Sequence, residues 1–132
     1  MAEAQDVPGT VFKNGSATFL ARVVGPDGMV VTPAAISAVA YSVFLLDDQD
    51  PDSQTAVTGH GDVALTVEDV LYDTLQRDNL WTKDTIGYNF KHVLDVSEHP
   101  AFAAAGRSYR VLFSLTPTSG QVILVRFRVR AI

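Results

Sequence analysis

Gly106-Arg107-Ser108-Tyr109-Arg110-Val111-Leu112-Phe113-Ser114-Leu115 runs into Thr116-Pro117-Thr118-Ser119-Gly120, and Gln121 to Ile132 follows. In the first arm Tyr109, Val111, Phe113 and Leu115 fall at every second position. In the second, Val125, Phe127 and Val129 do so, with Arg126, Arg128 and Arg130 between them. Side chains alternate between the two faces of a strand, so this pattern on both sides of a Pro/Ser/Gly turn predicts an antiparallel hairpin with one buried face. Tyr109, Val111, Phe113, Val125 and Phe127 are therefore core residues, and the arginines look outward.

The chain around this hairpin reads as β throughout. Val11 to Thr18 carries Asn14-Gly15 between apolar-tending arms, a short hairpin signal. Met1 to Asp6 carries no basic or apolar run, so no secretory leader is expected and the turn reading of Asn14-Gly15-Ser16 takes precedence over a glycosylation sequon. Thr18 to Gly25 reads as a strand, Gly25-Pro26-Asp27-Gly28 as a tight turn, and Met29 to Thr32 as a short strand stopped by Pro33. Ile36 to Leu46 is the longest apolar run. Val39, Tyr41, Val43 and Leu45 form one face and Ala40, Ser42, Phe44 and Leu46 the other, which predicts a central strand covered in part on both sides. Gln54 to Thr58 and Asp62 to Thr66 are short β-type segments flanking Gly59-His60-Gly61. Ile86 to Val96 reads as a strand, and Ser97 to Ala105 as a loop or helical turn.

Thr66 to Trp81 supports two readings. Val67, Val70, Leu71 and Leu75 have helical spacing, Thr66 suits an N-cap, and Glu68 with Asp69 suits a first turn. Val70 to Thr74 also passes as a strand. The helical reading gives a short insertion around residues 67–76. In all, about seven to nine strands with turns between them, and no alternation of strands with helices, predict an all-β antiparallel sandwich. Residues 1–8 are polar and read as a flexible arm; residues 9–132 read as one sandwich domain.

Bulk composition agrees. A chain of 132 residues, 47% apolar and 19% charged, is long enough to bury roughly two-thirds of its surface in one core. With no cysteine, it has neither a disulfide nor a thiolate metal site. No apolar run approaches the ~20 residues that span a bilayer. The formal charge of −5 speaks against a general nucleic-acid binder. Charge is uneven: Asp47, Asp48, Asp50 and Asp52 crowd one loop, and Arg107, Arg110, Arg126, Arg128 and Arg130 crowd the last hairpin. Those arginines are either a solvated sheet face with edge protection or a basic strip that meets acidic groups on a neighbouring copy.

Two segments carry a resemblance. Gly106-x-x-Tyr109-x-Val111 resembles the tyrosine corner that leads into the penultimate strand of immunoglobulin-like and fibronectin-III-like sandwiches, where the phenol bonds backbone a few residues upstream. Asp84-Thr85-Ile86-Gly87-Tyr88-Asn89-Phe90 resembles the Asp-x-x-x-Tyr-x-Cys segment of immunoglobulin domains, with Phe90 at the cysteine position. Because the chain ends in the hairpin, the corner is assigned to Tyr109. The wider layout is similar to small immunoglobulin-like domains of bacteriophage virion proteins, including baseplate, tail-accessory and decoration proteins. This resemblance implies a non-catalytic structural part of a virion, assembled in the host cytoplasm, with homo-oligomeric contacts and other virion proteins as partners.

Candidate chemistry is sparse. Asp48-x-Asp50-x-Asp52 has the first three ligand positions of a calcium loop but holds Ser53 and Gly59 where the glycine and the acidic twelfth residue belong. It is a weak calcium candidate beside a solvated acidic turn. His60, His92 and His99 share no zinc-motif spacing. No Gly-x-Ser-x-Gly elbow is present, and no carboxylate pair has a separation fixed by sequence, so no enzyme and no cofactor are expected. Trp81 is the sole tryptophan. It reads either as a core anchor, alongside Tyr41, Val43 and Tyr88, or as a stacking residue that would bind sugar together with Tyr72 or Tyr88. A carbohydrate- or ligand-binding module is thus the alternative to an assembly role, with no nucleic acid or membrane as partner in either.

Overall fold

A computed structural model describes residues 6–25, 28–47, 49–50, 53–78 and 87–132. Among these the strands are β1 (Asp6–Val11), β2 (Thr18–Ala21), β3 (Ile36–Leu46), β4 (Gln54–Ala56), β5 (Val63–Leu65), β6 (Leu71–Gln76), β7 (Tyr88–Val93), β8 (Ser108–Pro117) and β9 (Ile123–Ala131). A 3-10 turn, Pro33–Ala35, leads into β3, and one helical turn, α1 (Val67–Val70), leads into β6. The strands form two sheets. The larger has the order β1-β9-β8-β3-β4, with β5 also pairing β3; the smaller has the order β2-β7-β6. The protein is an all-β sandwich whose core lies between these sheets.

The terminal hairpin sets the larger sheet. β8 pairs antiparallel with β9, matching Tyr109 to Val129, Val111 to Phe127 and Phe113 to Val125. Tyr109, Val111, Phe113, Leu115, Phe127 and Val129 are buried, Val125 is half-buried, and Arg128 and Arg130 are exposed. On its other side β8 pairs with β3, whose Val39, Tyr41 and Val43 are buried while Ala40, Ser42 and Phe44 are half-buried. Phe113 stands at the centre of the core. Its ring lies 5.7 Å from Phe19, 4.8 Å from Phe90 and 5.6 Å from His92 across the sandwich, and 6.1 Å from Tyr41 and 5.8 Å from Phe127 on its own sheet. Burial of a ring of this size contributes ~1.5–3 kcal/mol, and edge-to-face contacts add to it.

The structure corrects three expectations. First, the sandwich is not wholly antiparallel, because β1 runs parallel to β9 from Asp6↔Arg126 to Val11↔Ala131. Asp6–Pro8, expected in an arm, thus belong to a strand. Second, Asn14-Gly15 does not join two paired strands. Asn14 adopts φ 59° and Gly15 N–H donates to Phe12 O at 2.8 Å, so the turn is real. It carries the chain from one sheet to the other, and β2 pairs with β7 instead. The turn chemistry dictates a reversal; which strands pair is decided by where Val11 and Phe19 find apolar partners. Third, the helical reading of residues 67–76 holds only for Val67–Val70, and Leu71–Gln76 is strand. An isolated helix of this length is unstable, whereas pairing with β7 satisfies the backbone.

Among the described residues between β2 and β3 the chain makes only an isolated antiparallel bridge, Val24↔Val30, where the sequence predicts a strand over Met29 to Thr32. Gly25 N–H donates to Met29 O at 2.9 Å and Gly28 N–H to Gly25 O at 3.0 Å. Pro26 and Asp27 of this expected turn lie outside the described residues. Asn89, fully buried on β7, holds the segment to the core. Its Oδ1 accepts from Val23 N–H at 2.6 Å, and its Nδ2 donates to Val23 O at 3.1 Å and Val31 O at 2.8 Å.

Candidate functional surface

The outer face of the larger sheet gathers the basic residues. The register sets Arg110 directly opposite Arg128, Leu112 opposite Arg126 and Ser108 opposite Arg130, with Phe44 of β3 beyond Arg110. Four arginines thus share one face of the adjacent strands β8 and β9, with half-buried Leu112 and exposed Leu124 among them and half-buried Phe44 on neighbouring β3. Like charges directly across a ladder repel and destabilise the pair. Among the described residues the register pairs Asp6 of β1 with Arg126. Arg110 also donates to Gln54 Oε1 at 3.4 Å. Arg107, at the start of the hairpin, turns inward and donates to Leu46 O at 3.0 Å, so it serves the fold rather than the face.

The three histidines, remote in sequence, meet around Tyr41. His60 is buried, with Nε2 2.7 Å from His99 O and Nδ1 2.8 Å from the Tyr41 hydroxyl. A carbonyl only accepts, so Nε2 donates to it, and Nδ1 shares a hydrogen bond with the Tyr41 hydroxyl. The His92 ring lies 5.3 Å from Tyr41. Burial and the carboxylate of Asp95 raise the Tyr41 pKa, and Ser97 hydrogen bonds lower that of Asp95. Gly59 makes the approach feasible: its φ is 84°, and a Cβ there would sit 2.3 Å from His99 Cγ. This knot ties the loop after β7 to β3. Sequence spacing gives no sign of it beyond glycines on both sides of His60.

Other candidates fare differently. Among the described residues no group of three or more His, Asp or Glu side chains is placed to hold a metal ion. Asp48 and Asp52 lie outside the described residues, and Asp50 is exposed. Asp47 instead closes a local turn, its Oδ1 accepting from Gln49 N–H at 2.8 Å and Asp50 N–H at 3.2 Å, which holds its carboxyl below the usual range. Trp81 also lies outside the described residues. Tyr88 is a buried core residue, not an exposed aromatic. Its hydroxyl donates to Asp78 Oδ2 at 2.7 Å, and burial, reinforced by Asp78, pushes its pKa up to about 12. Tyr72 is half-buried and borders an open groove of about 370 Å³ with Asp69, Lys91 and His92.

Tyr109 anchors the turn that leads into the arginine-bearing hairpin, its hydroxyl accepting from Ala104 N–H at 3.0 Å. Compared with known protein families, curated proteins and solved structures, the chain matches none.

Proposed function

We propose that this protein is a non-catalytic structural and assembly module: an immunoglobulin-like sandwich in a bacteriophage virion, serving as a decoration, connector or tail-accessory part. The observation that carries the assembly role is the arginine face, Arg110, Arg126, Arg128 and Arg130, on an otherwise acidic molecule. Arginine with interleaved apolar groups is the composition of protein interfaces, since its planar fork pairs carboxylates and sheds water readily. The strand order supports the immunoglobulin-like reading. β9-β8-β3-β4 and β2-β7-β6 follow the G-F-C-C′ and B-E-D orders of such sandwiches, and Tyr109 bonds backbone upstream as a corner tyrosine does. The virion setting rests on the similarity of layout to small virion domains.

Sedimentation of labelled protein with purified phage particles tests this. Expected is co-sedimentation that weakens as salt rises above about 0.1 M, where charges more than ~10 Å apart are screened. The double variant Arg128→Glu/Arg130→Glu should lose about tenfold or more in affinity. Protein that stays in the supernatant at every salt concentration, together with glycan-array binding that Tyr72→Ala abolishes, would replace assembly with sugar recognition.

A further inference from the structure

The smaller sheet has a notch. Among the described residues β6 pairs with β7 at Gln76↔Tyr88 and Leu71↔Phe90 and goes no further, because the chain before Leu71 is wound into α1. On the other side of β7 the pairing with β2 continues, matching Leu20 to Lys91, Phe19 to His92 and Thr18 to Val93. The last residues of β7 thus have a strand on one side only. Their other side opens on the groove of about 370 Å³ that Leu65, Val70 and Tyr72 also line. Ladder geometry decides which backbone groups face it. In an antiparallel pair, successive residues turn their N–H and C=O to alternate sides. Leu94 N–H donates to Ala17 O at 2.9 Å, so Leu94 addresses the β2 side and Val93, one residue earlier, addresses the groove. Among the described residues neither the N–H nor the C=O of Val93 has a hydrogen-bond partner on that side. We propose that this notch takes up an extended peptide segment of a partner protein, which adds a short strand to β7 at Val93.

The open backbone edge is what favours a peptide. A sugar or another small molecule would use the lining side chains and has no need of a strand edge, whereas an added strand gains its affinity from main-chain hydrogen bonds. The groove is small for a ligand site, which suits a segment of a few residues. Side chains around it state the chemistry of that segment. Exposed Asp69 on α1 and half-buried Lys91 on β7 line the same groove and make no ion pair with each other, so each stays open to an opposite charge. Leu65, Val70 and the Tyr72 ring supply apolar contact. The segment that fits therefore carries an apolar residue at its centre, with one basic and one acidic residue beside it. This contact lies on the smaller sheet and does not rest on the arginine face of the larger one.

Fluorescence anisotropy reads this out, with labelled, acetylated and amidated pentapeptides that hold Val at the centre and Lys, Glu or Ser on its two sides. Peptides with one Lys and one Glu should bind about tenfold or more tighter than those with two like charges. N-methylating the tightest peptide one residue at a time should abolish binding at alternate positions only, because a strand turns every second amide toward its neighbour. Val93→Pro removes the N–H that faces the groove and spares the bonds to β2, so it should weaken binding about tenfold. Asp69→Lys should move the preference to peptides with two Glu. The inference is overturned if no pentapeptide binds at millimolar concentration, or if binding ignores both backbone methylation and Val93→Pro. Glycan-array binding that Tyr72→Ala abolishes, without any peptide binding, overturns it as well. The methylated peptides leave the protein untouched, so they decide the matter even where Val93→Pro disturbs the fold. Arg128→Glu/Arg130→Glu should bind the peptides as wild type does, and a failure of the peptides leaves the assembly role of the arginine face standing.

Discussion

His92 illustrates how much of this site belongs to the fold rather than to sequence spacing. Its ring packs among Tyr41 and Phe113, its Nε2 is buried without a hydrogen-bond partner, and desolvation lowers its pKa below 6.5. The unfolded chain therefore takes up the proton first as pH falls. Stability from this residue is fully present above pH 6.5 and declines as pH drops through the depressed folded value. Asp47 and Asp95, held below 3.8, add their own loss only at lower pH. Denaturant titrations should show that His92→Phe removes the shallower part of the acid slope while keeping neutral-pH stability within about 1 kcal/mol of wild type, because a ring without unpaired nitrogens suits the site. An unchanged slope would place the proton elsewhere. Nothing in the positions of His60, His92 and His99 along the chain announces that they converge; pairing of β3, β7 and the Gly59 bend brings them together.

Among the elements, those with strict alternation were readable before any coordinates. β3, β8 and β9 show period two over long runs, and Tyr41, Val43, Tyr109, Val111, Phe113 and Phe127 are buried while Val125 is half-buried. Short segments were harder. Leu71–Gln76 has apolar spacing compatible with helix and strand alike, and only the presence of β7 alongside decides it. The link between β2 and β3 was the least legible, because a buried asparagine takes the place of a strand there. Asn89 offers one acceptor and two donors to Val23 and Val31, doing through a side chain what a neighbouring backbone would do. Asn89→Asp leaves two carbonyls facing a buried carboxylate and should cost on the order of 3 kcal/mol or more, against about 1–3 kcal/mol for Asn89→Ala. Thermal unfolding measures the cost, and hydrogen exchange should show Val23 and Val31 losing protection before β8 does. Equal losses for the two variants would mean that the carbonyls find other donors.

Over the whole molecule, Phe113 makes the two sheets one cooperative unit, since it touches Phe19, Phe90 and His92 on one and Tyr41 and Phe127 on the other. Phe113→Ala should cost about 3–5 kcal/mol and still give a single unfolding transition; two separate transitions would show that the sheets melt independently. The inward side of this residue was legible, but its five neighbours were not, because they come from strands whose pairing depends on chain topology. That topology has a further consequence through β1 and β9, which lie side by side although they are the first and last of the described strands. During synthesis on the ribosome Asp6–Val11 emerges long before Ile123–Ala131, its partner among the described residues. Until β9 has left the ribosome, the backbone of β1 is an open invitation to chaperones or to other nascent chains.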